Sequence, residues 1–146
     1  MSIFSIATSG LSAASLRVNV AASNIANANT TGPLPTSSGS GSAGSSNTST
    51  AYPAAYVPLR VDQVSQSSGS TPGGTSATVS AISPSYTAQS DPSAPFANQD
   101  GLVAAPNVDL ASEFAQLATA KYSFIANAKV IQAYAETEKS LLDITT

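Results

Sequence analysis

The sequence predicts a mainly α fold: long N- and C-terminal helices forming a coiled-coil hairpin, with a small β or irregular middle region that contains flexible Ser/Gly-rich loops. Three observations carry that expectation. All nine prolines of the 146 residues fall between Pro33 and Pro106, and eight of the nine glycines fall between Gly32 and Gly101. Proline in a helix interior costs about 3 kcal/mol and glycine about 1 relative to alanine, so the breaker-poor ends are the helical parts. Each end also carries an apolar stripe at alternating spacings of three and four, the period of a helix laid along another helix. The chain therefore divides into a helix at 1–31, a loop-rich middle at 32–106 and a second helix at 107–146.

In the first helix, expected over about residues 3 to 28, Phe4, Leu11, Val18 and Ile25 occupy one heptad position and Ala7, Ala14, Ala21 and Ala28 the other. Large residues alternating with alanine make a narrow seam that lets another helix approach closely. Asn24, Asn27 and Asn29 lie at its end, followed by Gly32. Asparagine and glycine both adopt positive φ readily, and side-chain amides can satisfy the orphan carbonyls of a helix C-terminus. Serines and asparagines interrupt every apolar run, so nothing here reaches the roughly 18 residues of a membrane span. The pattern also lacks the basic start and continuous apolar centre of a cleavable secretory signal.

The middle opens on a tract in which 16 of residues 32 to 50 are Gly, Pro, Ser or Thr, and a second such tract covers 65 to 76. Neither has the apolar surface to offset the entropy of ordering it, which predicts flexible loops. Between them, Tyr56, Val57, Leu59, Val61 and Val64 alternate, as do Ala77, Val79, Ala81 and Ile82, and these runs read as the strands of a small hairpin. Residues 84 to 106 carry four prolines and read as an extended connector lying on a surface, not as a packed element.

The last helix is expected to start at Asp109, whose carboxylate can cap the free backbone amides, with Glu113 favoured by the helix dipole. Leu110, Phe114, Leu117, Lys121, Phe124, Ala128, Ile131, Ala135, Glu138 and Leu142 give its stripe, apolar at eight positions of ten. The expected partner is the first helix of the same chain, running antiparallel, with the alanines leaving room for Phe114, Leu117, Phe124 and Ile131.

Composition narrows the chemistry. The chain has no cysteine, no histidine and no tryptophan, and it carries five basic against eight acidic residues for a net charge of −3. Thiolate and imidazole metal sites, disulfides, a Cys nucleophile and a His general base are thereby excluded, and no catalytic residue, metal or cofactor is expected. Glu136, Glu138 and Asp143 read as a solvated helix face. The scattered basic residues do not make a nucleic-acid surface. A membrane-surface amphipathic protein is the rival of a different class, but Arg17 is the only basic residue of the first helix, so that reading lacks its electrostatic attraction to lipid.

Both ends carry recognisable motifs. The run Ser9-Gly10-Leu11, then Arg17, Val18, Val20 and Ala21-Ala22-Ser23-Asn24-Ile25-Ala26-Asn27-Ala28-Asn29-Thr30-Thr31-Gly32, resembles the N-terminal signature of bacterial flagellar axial proteins: rod, hook and hook-associated. The run Pro106-Asn107-Val108-Asp109-Leu110-Ala111-Ser112-Glu113-Phe114, followed by Tyr122, Ala126-Asn127 and Val130-Ile131, resembles their closing motif. Two motifs at their proper termini make a specific signal. The short length, the small middle and the stretch Gly101-Leu102-Val103 before Pro106 are most similar to the proximal rod subunits of the flagellar basal body; another hook-like or distal rod-like axial subunit is the alternative.

The resemblance implies a structural protein whose terminal helices pair and stack into the tubular drive shaft that transmits motor torque. It implies as partners copies of this chain, other flagellar rod proteins and the flagellar type III export apparatus, with no nucleic acid and no insertion into the lipid bilayer. It also implies a place in the periplasmic rod of the basal body, reached without a cleaved signal peptide. The residues expected at subunit contacts are Phe4, Leu11, Val18, Ile25, Phe114, Leu117, Phe124, Ile131 and Leu142 of the stripes. Asn24, Asn27, Asn29, Asp109, Tyr122 and Asn127 of the motifs join them.

Overall fold

The computed structural model describes residues 2–35, 52–66 and 73–144. Of the Ser/Gly-rich loops expected at 32–50 and 65–76, residues 36–50 and 67–72 lie outside the described residues, while Ser65 closes β1 and Thr75 and Ser76 open β2, so the second loop is shorter than expected. The described elements are α1 (Ile3–Asn27), β1 (Leu59–Ser65), β2 (Thr75–Ala81), β3 (Tyr86–Ser90), β4 (Leu102–Pro106) and α2 (Leu110–Ile144). They belong to two units that are each discontinuous in sequence: one of Met1–Ile25, Leu59–Ser80 and Asp109–Thr146, the other of Ala26–Pro58 and Ala81–Val108.

The first unit holds the helices and the β1-β2 sheet. Ser2 starts α1, its hydroxyl accepting from the Ser5 amide and its carbonyl from the Ile6 amide. Asp109 starts α2 as expected, its carboxylate accepting from the Ala111 amide at 3.0 Å. Inside both helices, threonines turn their hydroxyls back onto the carbonyl one turn earlier, Thr8 on Phe4 and Thr119 on Ala115, which removes the polar cost of placing them there. β1 and β2 pair, as the alternating runs predicted. Arg60 and Ser80 tie them across the sheet: the guanidinium donates to the Ser80 hydroxyl, which donates to Asp62 at 2.7 Å. β2 is also tied to α1, since the Thr75 amide donates to the Ser9 hydroxyl.

In the second unit, β3 and β4 pair antiparallel from Tyr86 opposite Pro106 to Ser90 opposite Leu102. This corrects the expectation that 84 to 106 is an unpacked connector. Pro84, Pro92 and Pro95 lie outside the ladder and Pro106 at its last pair, so none interrupts the hydrogen bonding. Val103, Ala104 and Ala105 are all buried, which removes the in-out alternation that marks a half-exposed strand.

Gly32 corrects a second expectation. It is not among the described glycines with positive φ. It exchanges two backbone hydrogen bonds with Ala104, at 3.0 and 2.9 Å. A Cβ on Gly32 would strike the Ala55 amide nitrogen, so close backbone approach fixes the glycine.

Candidate functional site

Among the described residues there is no group of three or more His, Cys, Asp or Glu side chains that could hold a metal ion, and no helix long and apolar enough to cross a membrane. The chemistry of the first unit lies in its helix surfaces. α1 buries Ala7, Ala13, Ala14, Val20, Ala21 and Asn24. Ala7, Ala14 and Ala21 belong to the small half of the expected stripe, whose fourth member, Ala28, lies just past the end of α1 and is half-buried. Of the large half, Leu11, Val18 and Ile25 are half-buried and Phe4 is exposed. Small side chains inside and large ones toward the rim let another backbone come close to α1.

At Gly10 that approach is tight enough to exclude a side chain, for a Cβ there would sit 2.6 Å from Asn127 Oδ1. Asn127 is half-buried and donates to the Ser123 carbonyl one turn back. Towards the other end of α1, Asn24 is 0% exposed. Its amide donates to the Leu59 carbonyl at 2.7 Å and to Glu113 Oε1 at 2.8 Å, and its Oδ1 accepts from the Leu59 amide at 3.1 Å. One side chain thereby joins α1, the start of β1 and the first turn of α2. A buried amide is stable only when so partnered.

The reading of the asparagine cluster as a helix cap is corrected for Asn24, which works sideways into its unit. Thr30 supplies capping at the end of α1, with both its amide and its hydroxyl donating to the Asn27 carbonyl. Asn27 is half-buried and Asn29 exposed. The role of Glu113 was missed from sequence; its position three residues after Leu110 gave only the dipole argument.

α2 departs further from expectation. Its inward residues are Glu113, Leu117, Ala120, Ser123, Asn127, Ala128, Ile131 and Tyr134, of which only Ala120 is fully buried. Leu117, Ala128 and Ile131 come from the predicted stripe. Phe114 is 59% and Phe124 43% exposed, so within the chain these rings do not fill the space beside the alanines of α1. The reason is size: a helix held close enough for Asn127 to touch Gly10 leaves no room for phenyl rings between the backbones. The face turned inward is the small and polar one, and Leu110, Phe114, Tyr122, Phe124, Ile125 and Leu142 remain exposed. Asp109 is exposed at its cap position. Near the C-terminal end, the hydrogen bond that the Tyr134 hydroxyl donates to Glu138, together with the negative charge of Glu138, raises that hydroxyl above its ordinary pKa.

Comparison with known proteins gives two family matches, one at each end. Residues 4–33 match the family described as Flagella basal body rod protein, and residues 99–144 match that described as Flagellar basal body rod FlgEFG protein C-terminal. The flagellar basal-body rod protein FlgC of Salmonella typhimurium is 34% identical over 135 residues, covering 90% of this chain and 87% of the relative. FlgC of Escherichia coli O6:H1 is 34% identical over 134 residues with the same coverage.

Proposed function

The chain belongs to the family of FlgC-like flagellar basal-body rod proteins, and from that premise we propose how it works as a structural subunit of the rod. α1 and α2 pair antiparallel as a coiled-coil hairpin. Gly10 meets Asn127 and Asn24 meets Glu113, so the contacts run in opposite order along the two helices and are two heptads apart on each. The outward apolar residues of that hairpin then pack against neighbouring copies and other rod proteins, closing a tube that carries torque.

The observation that carries this reading is the inversion on α2: Ala120 is buried while Phe114, Tyr122, Phe124 and Leu142 are exposed. Large apolar side chains left open by folding along one long helix point to an interaction surface. The relatives are structural proteins by their names, and the chain works without catalysis or cofactor. Export through the flagellar type III apparatus into the periplasmic part of the basal body is part of the same proposal and rests on the resemblance of residues 9 to 32.

A second reading, a hook-type or distal-rod subunit, is favoured by the C-terminal match alone, whose description names FlgEFG. Electron cryomicroscopy of isolated basal bodies decides between them. The rod reading expects density for this chain in the wall of the proximal tube; density only in the hook, or none in the axial structure, would overturn it.

A further inference from the structure

The β3-β4 sheet of the second unit has one edge closed and the other open. On β4, Ala104 exchanges both its backbone hydrogen bonds with Gly32, so the far side of that strand is occupied at its centre. On β3 the phase of the ladder is set at its ends: the Asp91 amide donates to the Gly101 carbonyl at 2.9 Å, and the Asn107 amide to the Ser85 carbonyl at 3.0 Å. Backbone groups alternate in direction along an antiparallel strand. Ser85, Thr87, Gln89 and Asp91 therefore face β4, while Tyr86, Ala88 and Ser90 turn their N–H and C=O groups away from it. Among the described residues nothing partners those outward groups, and every residue of β3 is exposed.

Natural sheets blunt such an edge with a charge, a proline within the strand or a bulge. Tyr86-Thr87-Ala88-Gln89-Ser90 has none of these. Donors and acceptors that recur at every second residue are matched by another extended backbone, so the edge takes a strand. Which strand is decided by the flanking prolines: Pro84 and Pro92 stand at equal distances before and after Ala88. An antiparallel copy of β3 centred on Ala88 sets Tyr86 against the partner's Ser90, Ala88 against the partner's Ala88, and Pro84 against the partner's Pro92. Every outward N–H and C=O between the prolines is then bonded, and the prolines, which lack an N–H, meet only beyond the ends of the ladder. A slip of two residues brings a proline opposite a bonding position and loses a bond. No charged side chain lies within the ladder, so no like charges meet.

We infer that β3 pairs with β3 of a second copy, antiparallel about a two-fold axis at Ala88, joining the two β3-β4 sheets into one. A two-fold contact closes on two copies, whereas a polymer grows through head-to-tail contacts, so the pair belongs to the chain outside the rod. It is a property of the free protein and stands apart from the rod-subunit reading. A ladder of 5 residues is a small interface, and the dimer is accordingly weak and concentration-dependent.

Sedimentation equilibrium of the purified full chain over a concentration series is expected to show monomer and dimer. Ala88→Pro removes N–H groups from the centre of the ladder between copies and none from the β3-β4 ladder. It should weaken the dimer about tenfold or more while the circular dichroism is unchanged. Ala88→Lys and Ala88→Glu each set like charges directly opposite one another and should also give monomer. Mixing those two variants should restore a dimer that contains one of each. Only a contact of position 88 with itself behaves in this way, and a misfolded variant would not be rescued by mixing.

Disulfides read the register, since the chain has no cysteine of its own. Thr87 and the partner's Gln89 form a non-hydrogen-bonded pair, whose Cα atoms lie about 4.5 Å apart and within reach of a disulfide. Oxidising a mixture of Thr87→Cys and Gln89→Cys chains that carry different tags should give mainly the mixed dimer and little of either homodimer. A wild-type chain that stays monomeric throughout the series, a mixture of the Lys and Glu variants that stays monomeric, or homodimers as abundant as the mixed one would each overturn the pairing. None of these measurements uses the assembled rod. Absence of the chain from isolated rods would therefore fail the rod reading and leave this pairing standing.

Discussion

α1, with 25 residues, turns Ala7, Ala13, Ala14, Val20, Ala21 and Asn24 inside. α2, with 35 residues, turns only Ala120 fully inside among the described residues and leaves Phe114, Tyr122, Phe124, Leu141 and Leu142 in solvent. The helix with the smaller side chains is therefore the better buried one. Burying an alanine methyl contributes far less than the roughly 1.5 to 3 kcal/mol of a fully buried Leu or Phe. The interior of the first unit thus sets the spacing of its helices, while most of the apolar surface on α2 stays exposed. On the rod reading proposed above, folding and assembly use different faces of the same helix, and substitutions on each face should separate them.

The largest effect is expected on the open face. Phe114→Asp places a carboxylate where the rod reading buries a ring against a neighbour, at a desolvation cost of several kcal/mol per subunit contact. Basal-body counts should fall to background while the helical circular dichroism of the purified chain is unchanged. Normal rods from this variant would break the contrast between the two helices.

On the closed face, Asn24→Leu removes the amide that holds Leu59 and Glu113 and leaves their polar groups unpaired. A destabilisation of about 3 kcal/mol is expected, read by urea titration of the helical signal. A loss under about 0.5 kcal/mol would mean that the buried amide does not organise the unit.

Gly10→Leu tests the close approach itself. A Cβ there already meets the Asn127 amide, and the added bulk should cost about 2 kcal/mol by the same titration. Gly10→Ala should be far milder, because Asn127 can swing aside and alanine regains about 1 kcal/mol of helix propensity.

The smallest effect lies at the far end of α2. Tyr134 has a raised pKa in the folded chain because of Glu138. Its contribution to stability is present below the unfolded-state pKa of tyrosine, near 10, and is lost as pH rises through the folded value. Glu138→Gln should move one tyrosine back toward its ordinary titration, seen in the tyrosinate absorbance; an unchanged curve would show that the pair does not form.

Both helices, the Asp109 cap and the β1-β2 pair were legible because proline, glycine and apolar period are local signals. β3 and β4 were not: Val103-Ala104-Ala105 is buried without alternation, and the prolines that punctuate 84 to 106 sit outside or at the end of the ladder, visible only once the pairing is known. The stripe on α2 was read by hydrophobicity, which finds the stickiest face. Within one chain, size selects the inward face, and Ala120, Ser123 and Asn127 carry little hydrophobic signal. Asn24 looked like a cap because its partners, Leu59 and Glu113, lie 35 and 89 residues away. Long-range hydrogen bonds leave no periodic trace.

The central claim, that the large apolar face of α2 is open in the single chain and covered in the rod, can be read from one thiol. Phe114→Cys supplies it in a protein without other cysteines. Maleimide labelling is measured on the purified chain and on isolated basal bodies, with Ala120→Cys as the position buried in both. The account predicts rapid labelling of Cys at position 114 in the free chain and strong protection in the rod. Equally rapid labelling in assembled rods that contain the variant would contradict it, because the face would then be open in the polymer as well.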